Sequence, residues 1–189
     1  IRYLCQNQKT LGLNLNLQDK KGCTGLHYLV GLPKNLKWIL EHGREASIDP
    51  SVTDNDGYNV LGYAMVKGQL KMFSYMIKHA GYYNIPVSQT NKLGQNLVLS
   101  SIINSNIPEK FLKELYDTKD YTGINFDSHG NKHETPLQLT IIYGRPKALT
   151  FLIKHLDEKS LQFQRQSKKT SVIKGRILEN AVIITINEA

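Results

Sequence analysis

Apolar residues along this chain recur in pairs of short helical stripes, and polar turns separate one pair from the next. In one pair, Leu61 and Met65 lie on the same face of a predicted helix, and Asn59 can cap its N-terminus. Gly68 breaks this helix, and the apolar positions within residues 70–77 predict a second helix. The pattern therefore predicts a unit that consists of a polar turn and two short helices.

The same unit occurs four times along the chain. The apolar anchors of the four first helices are 35, 37 and 39 residues apart, and they are Leu26, Leu61, Val98 and Leu137. In the fourth unit, Thr135 can cap the first helix and Pro136 takes its first position. The second helix of the second unit is expected to stop at Gly81. A period of this length indicates an array of structural repeats.

The turn sequences carry a family resemblance. Residues 19–27 have the pattern Asp-x-x-Gly-x-Thr-x-Leu-His, and residues 135–137 are Thr-Pro-Leu. With four units in register, residues 1–156 resemble ankyrin repeats. The resemblance implies an all-α solenoid in which each repeat contributes a β-turn and two antiparallel helices, and neighbouring repeats bury one continuous core.

This resemblance also predicts how the chain is divided. A partial first repeat over residues 1–18 precedes four repeats, which lie near 19–53, 54–90, 91–126 and 127–156. Because the intervals exceed the family's usual period of about 33 residues, extra residues are expected in the connecting loops, including 82–90 and 119–132. Residues 157–189 are predicted to form a basic insertion loop and then the start of a further repeat or of a flanking domain. Within them, 181–189 could be the first helix of that repeat or a β-branched strand. The incomplete units at both ends predict that the chain is part of a longer protein.

Charge is concentrated near the end of the chain. The net charge is +8, from 24 Lys and Arg against 16 Asp and Glu, and five of those net positive charges fall within residues 158–176. Lys168 and Lys169 in this stretch are candidate contacts to an acidic partner, and a solvated loop without a partner is the alternative. No apolar run approaches the roughly 20 residues that a membrane span requires. The two cysteines form no CxxC pair, which excludes a disulfide framework and a typical zinc site.

Few residues suggest catalysis. Cys23 and His27 are four residues apart, but no third group accompanies them to orient a base, and the resemblance implies that His27 makes a structural hydrogen bond near the turn. The His and carboxylate residues between positions 127 and 134 lack a fixed helical spacing, which favours a solvated loop over a metal site. Phosphate-binding, GxSxG and HExxH motifs are absent. We therefore predict that this segment is not an enzyme and that it requires neither metal nor cofactor.

The resemblance implies that a partner binds on the concave face, which the turn tips and the outer residues of the first helices form. Carried over by position, the candidate contacts are Lys20, Lys21, Cys23, Asn55, Asp56, Tyr58, Val66, Lys67, Lys92, Leu93, Gln95, His129, Asn131, Ile142 and Tyr143. Tyr58 and Tyr143 are expected to be the main anchors, because an exposed aromatic ring with a polar tip gives a large contact area at little entropic cost. The lysines are expected to make this face basic.

One position also suggests a modification. Asn16 lies six residues before Gly22 of the first turn, and ankyrin proteins can be modified at this position by asparaginyl hydroxylases. The alternative is an unmodified loop asparagine that satisfies backbone groups.

The predicted function is a monomeric, non-catalytic module that binds an acidic partner protein, within the cell, in the cytoplasm or nucleus. One alternative is the substrate-recruiting arm of a larger enzyme, or of a bacterial effector in the host cytosol, whose catalytic domain lies outside this chain. Nucleic-acid binding through 158–176 is less favoured, because Phe163 is the only aromatic residue in that stretch available for base stacking.

Overall fold

The computed structural model describes residues 2–43, 46–131, 133–157 and 159–160. Its helices are α1 (Arg2–Gln6), α2 (Gly25–Tyr28), α3 (Pro33–His42), α4 (Val60–Val66), α5 (Leu70–Lys78), α6 (Ala80–Tyr83), α7 (Leu97–Asn104), α8 (Pro108–Thr122), α9 (Pro136–Ile142) and α10 (Pro146–His155). A 3₁₀ turn at Leu29–Gly31 continues α2. The described residues contain no strand, which confirms the predicted all-α class.

Eight of the described helices form four consecutive pairs that stack on one another. The first unit contains α2 and α3, the second α4 and α5, the third α7 and α8, and the fourth α9 and α10. Along the stack, α4 packs against α2 and α7, and α7 packs against α9. On the other side, α8 packs between α5 and α10. The predicted solenoid is therefore confirmed, with one layer of first helices and one of second helices.

One apolar core continues through the four units. The predicted anchors of the first helices are all buried, with exposed fractions of 5%, 0%, 0% and 1% for Leu26, Leu61, Val98 and Leu137. Phe73 of α5 and Phe111 of α8 meet edge to face at the centre of the second layer, with their ring centroids 5.0 Å apart. Because this core is shared between neighbours, each unit depends on the next for its burial.

Consecutive turns are joined by backbone hydrogen bonds at their tips. The backbone N–H of Asn55 donates to the carbonyl of Lys21 at 2.8 Å, and that of Lys92 donates to the carbonyl of Asp56 at 2.9 Å. This close approach leaves no room for a side chain at Gly57, where a Cβ atom would lie 2.7 Å from the backbone nitrogen of Lys92. The glycine of this turn is thus required by the stacking as well as by its positive φ of 87°.

Asn59 connects the start of α4 to the loop that follows the second unit. Its Oδ1 accepts hydrogen bonds from the backbone N–H groups of Leu61 and Gly62, both at 3.1 Å. Its Nδ2 donates to the carbonyl of Pro86 at 2.8 Å and to Oε1 of Gln89 at 3.0 Å. This one side chain therefore confirms the predicted cap and also fixes a long connection.

We expect Asn59→Ala to lower the free energy of unfolding by about 2 kcal/mol, because it removes a helix cap and two buried donors at once. Asn59→Thr keeps an oxygen that can cap α4, as Thr135 caps α9, but removes the Nδ2 donor, so its loss should be smaller. Urea unfolding followed by circular dichroism measures both. An alanine variant as stable as the wild type would contradict the double role of Asn59.

The extra residues of the second and third units lengthen the helical structure as well as the loops. The prediction that Gly81 ends a helix was wrong, because Gly81 lies inside α6. The residue with left-handed backbone at the end of α6 is Asn84, with φ of 53°. Burial of Tyr83, whose hydroxyl lies 2.6 Å from that of Tyr75, accounts for this additional turn. In the third unit α8 continues to Thr122, so the expected loop 119–132 begins as helix.

Candidate partner-binding groove

A groove of about 530 Å³ crosses the turns and first helices of the second, third and fourth units. It brings together eight of the fifteen positions predicted on the concave face, namely Asp56, Tyr58, Val66, Lys92, Leu93, Gln95, Asn131 and Tyr143. The others that remain at the surface lie outside it, and these are Lys20, Lys21, Asn55, Lys67, His129 and Ile142. The groove therefore contains more than half of the concave-face positions that were predicted to contact a partner.

Apolar side chains form much of the groove wall. They are Val66, Leu93, Leu99, Ile103, Leu139 and Tyr143. Leu93 is 64% exposed at the tip of the third turn, and Tyr143 is 45% exposed after the end of α9. Large apolar side chains left open to water in a concave surface are typical of a binding site.

Tyr58 is a bridge between units and not the exposed anchor that was predicted. Its hydroxyl accepts hydrogen bonds from Nδ2 of Asn91 at 2.7 Å and from Nδ2 of Asn104 at 3.0 Å. Its ring is half-buried. The expected exposure was wrong, because Asn91 and Asn104 of the third unit hold the hydroxyl end of this side chain, and the partner contact of Tyr58 stays a prediction. Tyr143 has the predicted exposure.

Side-chain amides line the groove beside the apolar wall. Oδ1 of the buried Asn91 accepts from the backbone N–H groups of Leu93 and Gln95, both at 3.0 Å, and so fixes the third turn. Nδ2 of Asn91 also donates to Oε1 of Gln95 at 2.9 Å. Among the described residues, Nε2 of Gln95 and Oδ1 of Asn104 have no protein hydrogen-bond partner. The groove therefore offers a donor and an acceptor to a ligand.

The charges in the groove differ from the expected basic face. Among the lining residues that the structure describes, Asp56 and Glu134 contribute two carboxylates and Lys92 contributes the one lysine. Across the described part of the chain, neither carboxylate takes part in an ion pair. Of the other predicted lysines, Lys67 lies at the surface with its ammonium 5.0 Å from the ring centroid of Tyr63. The described part of the groove lining thus carries one more negative than positive side chain.

Cys23 and His27 are both buried at the first turn. Cys23 is only 3% exposed, and burial raises the pKa of its thiol, so the predicted partner contact at this residue is wrong. Nδ1 of His27 accepts from the backbone N–H of Thr24 at 3.1 Å, which leaves Nε2 to donate to the carbonyl of Tyr58 at 3.0 Å. Both ring nitrogens are occupied, which confirms the structural role predicted for His27.

The structure also describes the surroundings of Asn16 and the possible metal ligands. The amide of Asn16 donates to the carbonyl of Ser47 at 2.7 Å and accepts from the backbone N–H of Asp49 at 2.9 Å, which favours a structural asparagine, and its hydroxylation stays a prediction. No group of three or more His, Cys, Asp or Glu side chains within the described ranges is placed to hold a metal ion. Lys168, Lys169 and the alternatives for 181–189 lie outside the described residues.

Comparison with known proteins identifies structural relatives only. No protein-family model matches the sequence, and no curated protein matches it. An ankyrin repeat domain from Acinetobacter baumannii is similar, with a TM-score of 0.63 and 21% identity, over 82% of this chain and 73% of that one. The ankyrin repeat domain of Bcl-3, a member of the IkappaB family, has a TM-score of 0.67 and 16% identity over 81% of this chain. This chain spans 64% of the Bcl-3 domain, less than two thirds. Among the described helices, none combines the length and apolar character needed to cross a bilayer.

Proposed function

Because this chain has the ankyrin-repeat fold, we propose that it is a non-catalytic protein-interaction module whose groove binds a partner protein. The observation that supports this most is the open apolar wall of the groove, with Leu93 and Tyr143 exposed beside unpaired amide atoms. When a partner covers such a surface, apolar area is removed from water, and this burial favours binding.

The position of the basic residues refines the expected partner. Lys20 and Lys21 are exposed on the turn of the first unit, outside the groove. An acidic patch on the partner would therefore contact that turn, while the groove itself receives an apolar part of the partner. Charges at the edge of an interface mainly accelerate association, whereas buried apolar contacts supply most of the affinity.

The double variant Leu93→Ser/Tyr143→Ala is expected to lose partner binding, because it removes both exposed apolar side chains without touching the core. Truncation of such anchors typically costs about 2 kcal/mol or more, so capture of the partner should fall by roughly thirtyfold or more. The measurement is affinity capture from a lysate of the source organism, quantified by mass spectrometry against the wild type.

Tyr121→Ala is the matched control, because Tyr121 is 63% exposed on α8 and lies outside the groove. It should capture the same proteins as the wild type. Equal capture by the groove variant and the wild type would exclude the groove as the binding site, and an equal loss in Tyr121→Ala would show a nonspecific effect.

A further inference from the structure

We propose that the groove takes an extended peptide segment of its partner, in which a lysine or arginine stands beside an apolar anchor residue. This inference rests on the proposed function, since it specifies which part of a partner the groove would hold. Three features of the groove lining that the structure describes support it: unpaired amide atoms, an apolar wall and a surplus of carboxylates.

The amide atoms favour an extended segment over a folded surface. The N–H and C=O groups of a folded partner are mostly paired within its own helices and sheets, whereas those of an extended segment are free to bond. Nε2 of Gln95 can donate to a peptide carbonyl, and Oδ1 of Asn104 can accept from a peptide N–H. The hydroxyl of Tyr58 accepts a hydrogen bond from Nδ2 of Asn104 at 3.0 Å and thereby positions Oδ1 of the same amide.

The apolar wall provides the place for an anchor. Leu93 and Tyr143 are exposed at the wall, and Leu99 and Leu139 are buried beneath it, with exposed fractions of 1% and 5%. A single leucine, methionine or aromatic side chain of the peptide would cover the exposed pair. Contacts of this kind supply affinity with little dependence on the rest of the peptide sequence.

Charge complementarity selects the residue next to the anchor. Asp56 lies on the turn of the second unit and Glu134 comes just before the cap of α9, and both line the same groove as the anchor site. Lys92 neutralises at most one of them. A cationic peptide residue would be attracted by the remaining carboxylate, whereas an acidic residue would be repelled by it.

Selection from a phage-displayed library of random 12-residue peptides tests this inference on the full chain. Enriched peptides are expected to share an apolar residue with a lysine or arginine within three positions. For a synthetic peptide from that selection, Asp56→Asn/Glu134→Gln should weaken binding about tenfold at low salt and less at high salt, as measured by fluorescence anisotropy. Tyr58→Phe should weaken the same peptide by a smaller factor and retain the preference for a basic residue.

Asp120→Asn is the matched control, because it removes one exposed carboxylate from α8, outside the groove. It should leave the affinity unchanged. Three results would overturn the inference: no enriched peptide, enriched peptides with acidic residues beside the anchor, or unchanged affinity in the Asp56/Glu134 variant. If Leu93→Ser/Tyr143→Ala still abolished capture of a lysate protein in those cases, the proposed function would stand and only the peptide inference would fail.

Discussion

Gly57→Ala should lower the free energy of unfolding by about 3 kcal/mol, one of the largest losses from any single methyl group added to this chain. The residue has a φ of 87°, which disfavours any side chain. In addition, the new Cβ would lie 2.7 Å from the backbone nitrogen of Lys92 and 3.0 Å from the Cα of Asn91. Backbone atoms cannot rotate away, so the turn of the third unit would have to move. That movement breaks the 2.9 Å hydrogen bond from Lys92 to Asp56.

Gly68→Ala separates the two contributions to this loss. Gly68 also has a positive φ, of 68°, but a Cβ atom added there would meet no atom within 4 Å apart from those of its chain neighbours. Gly68→Ala should therefore lower the free energy of unfolding by about 1 kcal/mol, which is the contribution of the positive φ alone. Urea unfolding of both variants gives the difference. Equal losses would mean that the approach of the neighbouring turn contributes nothing to the role of Gly57.

Local signals in the sequence predicted most of the fold. The cap at Asn59 and the break at Gly68 depend on residues close in sequence, and the spacing of Leu61 and Leu137 reflects burial that recurs in each unit. The additional turn α6 has no such signal. It depends on Tyr83 reaching Tyr75, a contact between residues of two separate helices that helix-stop rules cannot anticipate.

Part of the groove lining could also be predicted from the sequence, but its charge could not. Equivalent positions of successive repeats face the same surface, and this rule predicts that Tyr143 and Gln95 lie on the surface that forms the groove. Lys20 was assigned to the same face, yet it lies on the first turn while the groove spans the second to fourth units. Asn104 was missed because its role depends on the hydroxyl of Tyr58, 46 positions earlier in the chain.

Phe73→Ala is expected to remove about 4 kcal/mol of stability and to uncouple the two halves of the stack. Phe73 is fully buried, and its ring packs on that of Phe111, also fully buried, between α5 and α8. In an array where each unit contacts only its neighbours, a cavity at a central interface weakens the coupling of the units on either side. The first two units should then unfold at a different urea concentration from the last two.

Two probes can detect this uncoupling. Trp38 is the only tryptophan and lies in α3, so its fluorescence reports on the first unit, whereas circular dichroism of the peptide backbone reports on all helices. The two transitions should coincide in the wild type and separate in Phe73→Ala. Phe151→Ala is the control, because Phe151 is only half-buried on α10, and its loss should be about 1–2 kcal/mol without separation. Coincident transitions in Phe73→Ala with a similarly small loss would show that the interface between α5 and α8 does not couple the units.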